Sequence, residues 1–120
     1  MASLSKQGSA MLSSFFSVIG TGEQTLADSE FTATWEVRDT TGDPFVITLF
    51  GSGTAEGNRA EEGLSGMWTV EGPKDRPTAV ISWDSGWTTK ITRTPEGYVK
   101  TAYDPAAATP TNTSVAIKIE

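Results

Sequence analysis

From Phe31 onward, apolar residues recur at every second position. Phe31, Ala33, Trp35 and Val37 alternate with Thr32, Thr34, Glu36 and Arg38. Side chains of an extended strand point alternately to opposite faces, so this period predicts a strand with one buried face. The pattern repeats down the chain. Phe45, Ile47 and Leu49 share a face, and so do Leu64, Gly66, Trp68 and Val70. Ala79, Ile81 and Trp83 follow, then Trp87, Thr89, Ile91 and Arg93, then a strand over 98–104. Val115, Ile117 and Ile119 alternate with Ala116, Lys118 and Glu120 at the end.

Turn signals separate these runs. Residues 39–44 (DTTGDP), 72–77 (GPKDRP), 84–86 (DSG) and 95–97 (PEG) supply the Asp, Gly and Pro that tight turns use. Residues 51–63 (GSGTAEGNRAEEG) read as a Gly- and Glu-rich loop, and 105–114 as a low-complexity Ala/Thr/Pro stretch. The expectation is a mainly β fold, an antiparallel small barrel or sandwich of about seven strands. Val46, Phe50 and Val80 are apolar on the other face of their strands and call for a cover.

The segment before Phe31 has a different period. Leu4, Gly8, Met11, Leu12, Phe15 and Ile19 fall at helical spacing, widened by Phe16 and Val18, with Gly20 placed to end a helix. Residues 1–27 are read as a helical segment and 28–120 as the β domain, a single domain overall. The helix is the expected cover for Val46, Phe50 and Val80. Two other readings compete: a signal peptide, with Lys6 before the apolar stretch 10–19, and an interfacial helix on a membrane. No stretch reaches the ~20 apolar residues that span a bilayer.

Composition narrows the chemistry. The 120 residues contain no Cys and no His, which removes disulfides, thiolates, the usual general base near neutral pH and the commonest transition-metal ligand. A formal net charge of −6, with nine scattered Lys and Arg, disfavours nucleic acid as a partner. Asp39, Asp43 and Asp84 sit in turns without a calcium-loop spacing, and turn Asp residues usually bond their own backbone. Glu36, Glu61, Glu62, Glu71 and Glu96 offer no carboxylate pair in an apolar setting. The expectation is a non-enzymatic protein with no cofactor and no metal site. Its compartment is left open. Asn112-Thr113-Ser114 matches the short N-glycosylation pattern.

Trp35 in the first strand, Gly66-Met67-Trp68 in the third and the hairpins between them resemble the calycin-type barrels, lipocalin-like and avidin-like, over residues 31–104. Ala33 and Thr34 precede Trp35 where that family has a Gly, and the Gly-x-Trp form falls two strands later. The resemblance implies a meandering antiparallel barrel. Residues 79–87, with 97–100 and 102–105, also resemble small uncharacterised bacterial β domains, which imply no function.

Two functions follow as expectations. The first is a structural or interaction protein, a subunit or accessory component of a larger assembly such as a capsid, appendage or complex. Its partner-binding residues would be Leu4, Met11, Leu12, Phe15, Phe16 and Ile19 at one end and Val115, Ile117 and Ile119 at the other. The last strand is expected to add to a partner's sheet edge. The alternative is a barrel for a small ligand or carbohydrate. There Trp35, Trp68, Trp83 and Trp87 would line a pocket, and Trp83, Trp87, Tyr98 and Tyr103 are the ligand-contact candidates. Against that stands the simpler role of Trp83 and Trp87 as a cross-strand pair that closes the barrel end.

Overall fold

The computed structural model describes residues 30–120. Eight strands run up and down in sequence order: β1 (Ala33–Arg38), β2 (Pro44–Leu49), β3 (Thr54–Arg59), β4 (Gly63–Glu71), β5 (Thr78–Trp83), β6 (Thr88–Thr94), β7 (Gly97–Tyr103) and β8 (Asn112–Lys118). Each pairs antiparallel with the next, and β8 returns to β1, so the sheet is a closed barrel. Barrel therefore replaces the choice between barrel and sandwich.

The strand count corrects the expectation of seven. The added strand is β3, inside the segment read as a loop. Its register with β2 places Ala55 opposite Leu49 and Gly57 opposite Ile47. The inward positions are thus Ala and Gly, so β3 has no bulky apolar alternation to announce it. The reason is Trp83. A Cβ on Gly57 would stand 3.2 Å from the Trp83 ring and 2.6 Å from the Gly63 carbonyl, and one on Gly63 would enter the same ring. One large side chain from β5 fills the space that β3 and the start of β4 leave empty.

The expected helix at 4–19 lies outside the described residues. Of the three residues it was to cover, Val46 and Val80 are half-buried and Phe50 is exposed.

β1, β2, β4, β5 and β6 bury the faces that their alternation marks, apart from exposed Leu64, whereas along β8 and just past its end the alternating Val115, Ile117 and Ile119 face out and Ala116 faces in. Trp35, Val37, Phe45, Ile47, Leu49, Trp68, Ala79, Ile81, Trp83, Ile91 and Ala102 belong to one core inside the barrel. An eight-stranded barrel has an interior just wide enough for side chains to fill. Four indoles take up much of it, and three have a bonded N–H. Trp35 Nε1 donates to the Phe31 carbonyl (3.0 Å), Trp68 Nε1 to the Phe50 carbonyl (2.8 Å) and Trp83 Nε1 to Thr89 Oγ1 (2.8 Å).

Candidate functional site: sealed ends and an apolar outer face

The meander puts turns 39–43, 60–62 and 84–87 and the connection 104–111 at one end of the barrel. Turns 50–53, 72–77 and 95–96 and both ends of the described chain lie at the other. The two ends are closed by different chemistry.

At the first end the closure is ionic. Lys100 and Glu62 are fully buried, and Asp39 nearly so. A lysine ammonium has three hydrogens to place. Lys100 Nζ donates to the Arg38 carbonyl (2.6 Å), to Asn112 Oδ1 (2.6 Å) and to Glu62 Oε2 (3.3 Å). Glu62 Oε1 lies 3.0 Å away as an ion-pair contact. Asn112 Nδ2 donates to Glu62 Oε2 (2.9 Å) and Thr40 Oγ1 (2.9 Å). Burial pulls the Lys100 ammonium below its usual range, and Glu62 and Asp39 oppose that shift. Beside this group, Asp39 Oδ1 accepts from Thr41 Oγ1 (2.6 Å), Thr41 N (2.9 Å) and Asp43 N (3.0 Å). These bonds, the Thr41 hydroxyl first, hold Asp39 below its ordinary pKa. Every ammonium hydrogen has a protein acceptor, so the cluster is satisfied within this end of the barrel.

At the second end the closure is aromatic. Trp35, Phe31 and Tyr98 pack in tilted and edge-on contacts with centroids 4.7–6.2 Å apart. Lys118 Nζ stands 5.4 Å from the Trp35 ring centroid and donates to the Glu30 carbonyl (2.6 Å). The Glu30 carboxylate accepts from Tyr98 Oη (2.7 Å) and Arg93 Nη1 (2.9 Å). Burial first, and Glu30 second, raise the Tyr98 phenol above its usual value.

The ligand-contact candidates are spread over the core, one closure and the wall. Trp83 and Trp87 flank the turn at 84–86, where Trp83 N donates to the Trp87 carbonyl (3.0 Å) and Gly86 N to the Trp83 carbonyl (3.0 Å). Both rings are buried in the core. Tyr98 belongs to the aromatic end. Tyr103 lies on the outer wall, half-buried, with Lys90 Nζ 5.3 Å from its ring. The four do not converge on one surface.

The terminal partner candidates do form one. Val115, Ile117 and Ile119 are 63%, 52% and 46% exposed, along the outer face of β8 and just past its end. Two grooves flank them. One is lined by Tyr98, Val99, Val115 and Ile117 on the β7 side, the other by Glu36, Val37, Arg38, Val115 and Ile117 on the β1 side. Exposed Met67 on β4 is different, because Glu56, Ser65, Ser82 and Asp84 line the groove beside it together with Ala55, Gly66 and Trp83. Singly scattered apolar residues are ordinary on a protein surface, whereas a contiguous strip is not.

Edge addition of the last strand is corrected by this geometry. β8 pairs with β7 over five register positions and with β1 at Trp35↔Lys118 and Glu36↔Ile117. Both edges are taken, so β8 presents only its outward side chains. Leu4, Met11, Leu12, Phe15, Phe16 and Ile19 lie outside the described residues. Among the described residues no group of three or more carboxylates is placed to hold a metal ion, and no helix is long and apolar enough to cross a membrane.

Sequence reasoning set Glu36 and Glu62 aside as carboxylates without an apolar setting, which the buried Glu62 corrects, read Asn112 only as part of a glycosylation pattern, and gave Lys100 and Arg38 no site role. Comparison with protein-family models, curated proteins and solved structures finds no match to this chain.

Proposed function

We propose that this protein is a non-enzymatic interaction module, a component of a larger protein assembly, and that it engages protein through the outer face of β8. The observation that carries the reading is the strip Val115, Ile117 and Ile119, exposed on a wall whose sheet has no free edge. Fully burying an aliphatic side chain of this size contributes ~1.5–3 kcal/mol, so three of them side by side suffice to anchor a contact. A barrel filled by four indoles and plugged at both ends supports a function on its outside. The meander also supports the calycin-type resemblance at the level of topology, without bringing a ligand with it.

The test compares two surface variants of equal folding stability, V115D/I117D and M67D, as baits in the native host. The double variant is expected to lose the proteins that co-purify with the wild-type chain, and M67D to keep them. Retention by both variants overturns the reading. So does a shift of the indole fluorescence by a small carbohydrate or hydrophobic ligand that saturates at one per chain.

A further inference from the structure

Resting on that reading of the β8 face, we infer that its partner is a second copy of this chain, seated by a two-fold axis that lies in the plane between the two walls, across the strands. The argument starts from two charges. Glu36 and Arg38 are two residues apart on β1 and point outward, because Trp35 and Val37 point in. Among the described residues Glu36 has no hydrogen-bond or ion-pair partner for its carboxylate. The ion pairs there are Arg59–Asp39, Arg93–Glu30 and Lys100–Glu62. Among the described residues the Arg38 guanidinium meets the Gly42 carbonyl (3.0 Å) and no carboxylate. Both residues share a groove with Val115 and Ile117.

The register fixes what such an axis would match. Glu36 stands opposite Ile117, and Arg38 N donates to Ser114 Oγ (3.1 Å), one level further along. The wall therefore carries an acid beside an isoleucine on one level and a base beside a valine on the next. A two-fold across the strands exchanges those levels and stacks β1 on β1 and β8 on β8, with strand directions reversed. Each Glu36 then meets the Arg38 of the other copy, and each Ile117 meets the other Val115. An isologous contact requires this reciprocity, residue i against j and j against i. Stacked sheets lie ~10 Å apart, a gap that Glu and Arg side chains span. The −6 on each copy opposes approach, but charges beyond ~8 Å are screened at physiological ionic strength, which leaves the short reciprocal pairs in force. A curved wall offers less than the ~800 Å² per partner of a standard interface, so the dimer is weak and depends on concentration.

Sedimentation velocity of the full chain from about 10 µM to about 1 mM tests this, with circular dichroism melts confirming that each variant folds. The wild-type chain is expected to move from monomer to dimer. E36R and R38E should each weaken the dimer about ten-fold or more, and E36R/R38E should restore it, because both copies then carry the swapped pair. A chain that stays monomeric overturns the inference, as does a dimer indifferent to the single variants or not restored by the double. A monomeric chain whose V115D/I117D variant still loses its partners leaves the β8 face as the interaction surface and removes only the second copy as its occupant.

Discussion

Lys100 carries a charge into the barrel and leaves no ammonium hydrogen unbonded, which makes its replacement informative. Removing one member of a buried ion pair strands the other, at a cost of about 3–5 kcal/mol, whereas removing both is much milder. K100M is therefore expected to lower the unfolding free energy by about that amount. K100M/E62Q should lose less than the sum of the two single variants in a denaturant cycle. Strict additivity would show that Lys100 and Glu62 do not act as a pair. Half of this pair was legible in the sequence. The strand at 98–104 already placed Lys100 between Tyr98 and Ala102, on one face with the buried Ala102. Glu62 was not legible, since it sits in a turn where a solvated charge is the ordinary case. Asp39 gives a pH test. Its folded pKa is below the ordinary 3.8, so its contribution to stability is present above that value and is lost as pH falls through the folded value. D39N should melt below the wild-type chain at neutral pH. The gap should hold down to about pH 4 and close below it. A gap that persists or widens in acid would contradict the assignment.

β3 and β5 must be understood together. Trp83 supplies the volume that Gly57 and Gly63 omit, so β3 can be polar on its outer side and almost bare on its inner one. Alternation of large apolar residues marks a strand only when that strand fills its own share of the core. β1, β2, β4, β5 and β6 do so here, whereas the alternation of β8 marks its outer face. For β3 the filling residue lies across the barrel in sequence positions a reader of 51–63 cannot see. The closing hairpin was legible because its cause is local: Trp83 and Trp87 flank the three residues of the turn. G63A is expected to cost ~1–3 kcal/mol by overpacking against the Trp83 ring. W83L should relieve that cost, so denaturation midpoints of the two singles and the double should show favourable coupling. A penalty for G63A that is unchanged in the W83L background would place its cause in the backbone and not in the ring.

For the whole molecule, closure is what the proposed outer-face function rests on. A closed sheet has no edge to offer, and this eight-stranded barrel holds four indoles inside, with Lys100–Glu62 at one end and Trp35–Tyr98 at the other. The proposed surface is the wall, and on it the β8 strip with its flanking charges. The sequence showed the strip, because Val115, Ile117 and Ile119 alternate plainly. It did not show which face of β8 they occupy, since a strand pattern gives two faces and only the closed register says which points out. Site-specific photo-cross-linking in the native host addresses this most directly, with the photoreactive residue at position 117 in one strain and at position 67 in another. Protein adducts at 117 and none at 67 are the expected result. Adducts at 67 alone, or equal adducts at both positions, would contradict a function carried by the outer face of β8.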